Sequence, residues 1–562
     1  MNDDLLTPYE RGNKNQTTSW EACIDFYQLL QRRYPGVLRF FEIGTSDSGV
    51  TMHAGVVSAD GVFDFDEIKR ARRPVFFNNN GIHPGEPEGI DACMALVRDF
   101  CVDPALLASL KNVVFLFIPI YNVDGCLNRN DSSRVNQLGP ESFGFRGNAL
   151  HLDLNRDFIK CDSLSAQVFN RFFSRWDPDM MVDTHTSNGA DYSYTMTVIQ
   201  TQADKIGGEF NHFIRDTLLP TISAGMIARG WPTCPYVNPV KVTPDDGIED
   251  FLEVPRFSTG YAALNYTIGF MPETHMLKPY EDRYDSMRAF VQEVLTFTVA
   301  HAAQIQAMRA IAKDAAAGVK TWPVSWKVDR SKVSKFKFKG FAAVHSPSKL
   351  GNYTRLSYDR NQPWEKEIDY FDHFVPDIQV SAPKAYLVPQ QWRDVIQRLE
   401  WNQVKMERVT ESGQRTVQSY HIRSVQSRVT PYEGHMFHDA LELEARTETV
   451  AVKAGDYLVS LNQPKARYAV ETLEPQAHDS FFRWGFFNSV LERKEGFSDY
   501  VFEDTALELL EAEPELKTAF VQWKAENPQL LSDQHAVLTF IYTNCKRYRE
   551  PEWRRYPIFR IV

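Results

Sequence analysis

The chain has 562 residues, 43% hydrophobic and 24% charged, with a formal net charge of −11. That length exceeds one ordinary core and implies two to three domains. The charge balance argues against a nucleic-acid partner, which needs clustered Lys and Arg to neutralise phosphates. The seven cysteines are odd in number and include no CxxC pair. This argues against a disulfide framework or a thiolate zinc site, and they read as mostly small buried apolar residues. The N-terminal segment lacks the basic and apolar regions of a secretory signal. The longest apolar run, VVFLFIPIY, is too short for a bilayer and holds a proline. The expectation is a cytoplasmic protein without a membrane partner, although a removed signal peptide would leave the same sequence.

In chain order, Thr18-Ser-Trp-Glu21 has the pattern of a capping box. It predicts a helix to about Arg33, stopped by Pro35-Gly36. LRFFEIGTSDSG and MHAGVVSADG read as strands with Gly/Asp turns, and PVFFNNN as a third. A helix from about Pro87 to Phe100 follows. NVVFLFIPI is a continuous apolar run, the pattern of a strand buried on both faces. SLSAQVFNRFFSRW reads as a helix, DMMVDTH and TIGFMPE as strands. A long helix runs from about Glu281 to Ala317 and ends at Gly318. Strands alternating with helices predict an α/β fold with a mixed, mostly parallel central sheet flanked by helices.

The texture changes after Gly318. In KFKFKGFAAVH, Phe336 and Phe338 alternate with Lys335, Lys337 and Lys339, the pattern of a half-solvated strand rather than a nucleic-acid stripe. The chain stays β-rich to about Asn462, with one helix at PQQWRDVIQRLEWN. From about Glu471 it reads as helical: SFFRWGFFNSVLERKE, TALELLEAEPELKTAFVQWKAEN and DQHAVLTFIYTNC. The expected organisation is a domain over 1–318, a β-rich region over 319–465 and a mostly helical region over 466–562. The last two together form an additional C-terminal α+β region. The dense aromatics Phe481, Phe482, Trp484, Phe486 and Phe487 read as core ahead of a subunit contact, and a homo-oligomer through this region stays open.

Sites in open α/β sheets form at the carboxyl ends of strands. FFNNN leads to His83 and Glu86, FLFIPIYNVDG to Asn122 and Asp124, MMVDTH to Asp183 and His185, and IGFMPETH to Glu273. Two histidines and a carboxylate are the ligand set of a catalytic zinc that keeps a fourth position open. Taken singly, each residue has a plain alternative. Glu86 suits a helix N-terminus, His185 a satisfied strand end, and Glu273 a buried salt bridge. HMFH, with His435 and His438, has no third partner in the sequence.

The set in order resembles the zinc metallocarboxypeptidase family of the carboxypeptidase A/B type. The resemblance covers roughly residues 15 to 315. Five elements carry it: HPGE, NVDG, LDLNRDF, DTH and MPETH. It implies that His83, Glu86 and His185 bind Zn²⁺ and that Asp153 holds His83. Asp183 leaves the same strand face as His185 and reads equally as a supporting acid or a strand-end turn acid. The resemblance implies Glu273 as general base and Arg134 as oxyanion donor, with Arg129 and Arg146 competing for that role. Asn155 and Arg156 would grip a substrate's terminal carboxylate. The family's capping tyrosine has no clear counterpart. Tyr261 is the candidate, and Arg256 in the same loop is a candidate substrate contact.

The expected function is zinc-dependent removal of C-terminal residues from peptides with a free terminal carboxylate. Two alternatives stand beside it: a zinc-dependent deacylase or desuccinylase acting on N-acyl amino acids, and a catalytically inactive binding protein.

Overall fold

The computed structural model describes residues 3–562. Its centre is a nine-stranded mixed sheet. The strands are β1 (Leu38–Thr45), β2 (Thr51–Val57), β3 (Val75–Asn79), β4 (Val114–Ile118), β5 (Met180–Asp183), β6 (His185–Ser187), β7 (Met196–Gln200), β8 (Thr233–Pro235) and β10 (Ile268–His275), with β9 (Ile248–Glu249) in another sheet. They lie in the order β1-β2-β4-β3-β5-β10-β7-β8, with β6 paired to β10 beyond the end of β5. β4, β3, β5 and β10 run parallel, whereas β1 and β2 pair antiparallel with their neighbours, and β7 pairs antiparallel with β10 and parallel with β8. Every residue of β3, β4 and β5 is buried, as their unbroken apolar runs require of strands covered on both faces.

The covering helices begin and end where the sequence supplies caps. α1 (Trp20–Arg33) is capped by Ser19, whose hydroxyl accepts from the Ala22 N–H. The capping box had pointed to Thr18. Thr18 is instead drawn into the core, where its N–H donates to buried Asp91 at 3.2 Å, so the cap falls one residue later. α2 (Glu88–Val102) opens after Pro87. A Cβ on its Gly89 would come 1.9 Å from Thr184 Oγ1, so only glycine lets this helix lie against the end of β5. α3 (Leu164–Trp176) is capped by Ser163, α4 (Ser258–Leu264) leads into β10, and α5 (Tyr280–Ala316) crosses the sheet's back.

The rest of the chain adds three sheets. β11 (Thr321–Val328) pairs with β14 (Phe374–Ser381). The long hairpin β12 (Ser334–Pro347) and β13 (Thr354–Phe371) pairs with β9. In β12, Phe338 is fully buried, and Lys335 and Lys337 pair with Asp369 and Glu365 on the neighbouring strand. A six-stranded sheet joins β15 (Ala385–Val388), β16 (Glu407–Arg408), the hairpin β17 (Gly413–Ser427) and β18 (His438–Val452), β19 (Tyr457–Ser460) and the closing β20 (Phe559–Ile561). α6 (Arg393–Trp401) packs on α3.

The helix expected over SFFRWGFFNSVLERKE is absent. The segment is a run of turns with one 3₁₀ turn, Asn488–Leu491. Phe481, Phe482, Trp484 and Phe487 are all fully buried, and Gly485 at φ +81° reverses the chain between them. One helical stripe could not bury all four. A continuous core of buried side chains extends from Leu5 to Ile558. α7 (Asp499–Ala512), α8 (Pro514–Glu526) and α9 (Gln534–Asn544) keep a small core of their own around Phe502 and Ile541. All seven cysteines are free and buried. Among the described residues, no helix is long and apolar enough to cross a membrane.

Candidate active site

The strands β3, β5/β6 and β10 end at one cleft of about 460 Å³. His83, Glu86, Asn155, Arg156, His185, Glu273, Arg134 and Arg146 line it together. The cleft is thus built from residues up to 190 apart in sequence that the sheet order makes neighbours.

At its floor, one ligand atom each from His83, Glu86 and His185 lies within 4.8 Å of the others. All three residues are 2% exposed. His83 turns Nε2 to Asp153 at 2.8 Å, and His185 turns Nε2 to Asp183 at 2.9 Å. Carboxylate partners there fix the Nε2–H tautomers and leave both Nδ1 lone pairs facing Glu86 Oε2, at 3.3 and 3.2 Å. His83 Nδ1 is buried without a hydrogen-bond partner. An ion bound tetrahedrally at bond lengths of about 2.0–2.1 Å needs ligand atoms roughly 3.3–3.4 Å apart. The donor set and its spacing therefore fit a zinc-like cation. The two histidine–carboxylate pairs are the supports such ligands use.

The asparagine run at the end of β3 builds these supports. Asn79 Nδ2 donates to Asp183 Oδ1 at 2.8 Å, so Asn79 orients the acid that orients His185. Asn80 Nδ2 donates to the Ile118 carbonyl at 3.0 Å, tying the ends of β3 and β4. Of the two readings of Asp183, the geometry selects the supporting acid. The strand expected over DMMVDTH breaks at Thr184, whose N–H donates to the Asn79 carbonyl at 3.1 Å. The break lets β6 leave β5 and pair with β10, placing His185 beside Glu273.

Charge in the floor is strongly skewed. Burial opposes ionisation of Glu86, yet His83 and Arg134 hold its carboxyl well below the ordinary range. Burial likewise opposes a charge on His185, but Asp183 and Glu86 raise it well above its ordinary value. The same negative surroundings that draw a proton to this ring draw a divalent cation. Glu273 is pushed up to about 7 by burial, against the pull of His185 and with the help of the Glu86 charge. Tuning of that size suits a proton acceptor working near neutrality.

The three arginines divide. Arg129 donates to the Thr18 and Ser142 carbonyls, ties two loops and does not line the cleft. Arg134 donates to Glu86 Oε1 at 2.8 Å and to the Thr186 carbonyl at 3.0 Å. Arg146 forks onto Asp153 Oδ2 at 3.0 and 2.8 Å and keeps its side chain 45% exposed. Asn122, whose role was open, donates to the Arg146 carbonyl at 2.9 Å and shapes that loop.

Asn155 accepts from the Ser258 N–H at 3.1 Å, and its amide nitrogen has only the Met271 sulfur nearby at 3.9 Å. The Arg156 guanidinium lies 4.4 Å from the Phe257 ring centre. Ile199, Phe251, Phe257 and Met271 form an apolar wall beside them.

Two expected substrate contacts are corrected. Tyr261 lies in α4, fully buried, with its hydroxyl on Asn402 Oδ1 at 2.7 Å. It faces the core because it stands on the helix face that packs against Phe158 and Phe173. Arg256 points away from the cleft, donating from its backbone N and Nε to Asp479 at 2.8 and 2.7 Å. Asp479, which attracts it, is distant in sequence. The cleft receives Tyr236 instead, from the chain leaving β8. Burial and the charges of Glu273 and Glu86 raise its phenol above the ordinary value. No spacing in the sequence marks Tyr236.

Residues 23–197 match the zinc carboxypeptidase family, a span that includes His83, Glu86 and His185 and stops short of Glu273. The carboxypeptidase 2 of Trichophyton tonsurans is 23% identical over 429 residues, 72% of each chain. That of Trichophyton rubrum is 34% identical over 110 residues, 20% of each chain. A solved metallo-carboxypeptidase from Burkholderia cenocepacia is 15% identical, with a TM-score of 0.38 over 51% of this chain and 70% of its own.

Proposed function

We propose that this chain, whose residues 23–197 match the zinc carboxypeptidase family, is a zinc-dependent peptidase that removes C-terminal residues. The observation that carries this reading is the convergence of two carboxylate-held histidines and Glu86 on one point beside Glu273. His83, Glu86 and His185 would hold the ion. When bound, zinc polarises a carbonyl and brings the pKa of a water towards about 7.

The chain's own residues supply the rest. Asn155 Nδ2 and Arg156 bind the terminal carboxylate of the peptide, and the apolar wall takes an apolar or aromatic C-terminal side chain. Glu273 accepts the proton of the attacking water and returns it to the leaving amine nitrogen. Arg134 and Arg146 place N–H donors beside the carbonyl oxygen as its charge grows. Each guanidinium already makes three hydrogen bonds within the protein, and Arg146 is the more exposed of the two. Tyr236 adds a phenolic donor at the cleft wall.

The test is metal analysis followed by a panel of peptides read by mass spectrometry, comparing the wild type with Glu273→Gln. Zinc near one equivalent and stepwise loss of apolar C-terminal residues by the wild type alone are expected. Trimming that is equal in the two proteins, or none with bound zinc, overturns the reading. Cleavage of N-acyl amino acids in place of peptides redirects it to the deacylase alternative.

A further inference from the structure

Every residue that lines the cleft lies at or before Met276, yet the C-terminal half grips the cleft's two substrate loops from behind. The first grip is the turn between β17 and β18. Tyr432 and His435 exchange backbone hydrogen bonds at 2.8 and 3.0 Å, and the two residues between them, Glu433 and Gly434, have φ of +49° and +81°. This is a two-residue turn with both centres left-handed, a geometry for which Asn or Asp before Gly is the favoured pair. Glutamate is a poor occupant, because in that conformation its Cβ crowds the following carbonyl oxygen. Its longer side chain does what Asn could not: Glu433 Oε2 accepts from the backbone N–H of Asp153 at 2.8 Å, 280 residues away. Asp153 is the acid that holds His83 and Arg146. The turn is pinned nearby by His435 Nε2 on Asp162 at 2.7 Å.

The second grip is on the loop before α4. Asp479, fully buried, takes both the backbone N and Nε of Arg256. The Arg256 guanidinium lies 4.7 to 5.4 Å from the ring centres of Phe437, Trp484 and Tyr432. This loop carries Phe257 and gives the Ser258 N–H to Asn155.

We propose that the C-terminal half is a positioning element of the active site: Glu433 orients Asp153 and through it His83, while Asp479 and the Tyr432–Phe437–Trp484 cage set the loop that orients Asn155 and Phe257. The inference rests on the zinc-site reading above. It gives the region beyond Gly318 a role that needs no contact with substrate.

Glu433→Asn is the discriminating variant, because Asn suits the turn better and is too short to reach Asp153. Zinc affinity, measured by competition with a chromogenic chelator, is expected to fall about three- to tenfold, less than for loss of a direct ligand support. Melting of the metal-free protein should hold or rise. Glu433→Gln, which keeps reach and acceptor, should restore affinity to near the wild-type value. Arg256→Met should raise KM severalfold for an apolar-ended peptide with kcat changed less. Wild-type zinc affinity in Glu433→Asn overturns the first link, and an unchanged KM in Arg256→Met overturns the second. Failure of the wild type to bind zinc would instead sink the reading on which both rest.

Discussion

The two ends of the cleft are held in different ways. At the metal-ligand end, the His185 and Glu86 side is wired inside the first half of the chain, by Asn79 on Asp183, Asp183 on His185 and Thr186 N–H on Glu86, every member buried. Asp153, which holds His83, and the carboxylate end sit on loops, and those loops lean on residues 223 to 280 positions away. The first arrangement follows from short parallel strands whose ends the backbone ladder aligns. The second follows from a long hairpin that carries Glu433, and a buried turn that carries Asp479, across the molecule to loops with no ladder of their own. Mutation at the ligand end should therefore show chiefly in zinc affinity, most for a ligand and less for its support, and mutation at the carboxylate end chiefly in KM.

The largest expected effect separates chemistry from assembly. Glu273→Gln should lower kcat by about 10²- to 10⁴-fold while zinc stoichiometry stays intact, measured by metal analysis and steady-state kinetics. Asn79→Ala comes next. It leaves a buried oxygen of Asp183 unpartnered and should cost about tenfold in zinc affinity and ~1–3 kcal/mol of stability, read by chelator competition and denaturant unfolding. A fall as large as removal of His185 itself would erase the distinction between ligand and support. At the other end, Phe257→Ala removes the ring under Arg156 and should raise KM about three- to thirtyfold with a smaller change in kcat.

A smaller effect concerns the loop's anchor. Asp250 is buried behind Phe251, and burial, then the charges of Glu253 and Asp372, push its carboxyl up to about 8. In the unfolded chain it loses its proton near pH 4. Between these values the folded state binds more protons, so this residue's contribution to stability is full below about pH 4 and is lost as pH rises towards 8. Asp250→Asn should flatten that part of the stability profile, as urea unfolding from pH 4 to 8 would register. The smallest expected effect is at Leu507 on α7, 59% exposed. Leu507→Ser should change stability by no more than about 0.5 kcal/mol and leave kinetics untouched.

The ligand end was largely legible because its information is local. His83 and Glu86 stand three residues apart before a helix, and unbroken apolar runs mark the strands that end at them. The supports were legible only in part. Asp153 came with the resemblance, whereas the role of Asn79 depends on β3 lying beside β5. At the carboxylate end, Asn155 and Arg156 carry a motif, but Tyr236 and Arg146 carry none. Tyr261 and Arg256 misled because a loop's sequence does not say which way its side chains turn. The same limit produced a helix over Phe481–Phe487, where helix-compatible residues are bent by Gly485 into a knot of core aromatics.

The sequence alone determined the alternation of buried strands and capped helices, and with it the strand ends where chemistry-bearing side chains collect. These properties depend on neighbours a few residues apart, through hydrogen-bond spacing and the burial of apolar runs. Which ends become adjacent, which nitrogen of each histidine is left free, and which distant carboxylate steadies each loop were decided by the tertiary structure. Glu433 shows the reason. In the sequence it is one acid in a turn, and only the packing of β17 and β18 against the N-terminal half brings it to the amide of Asp153.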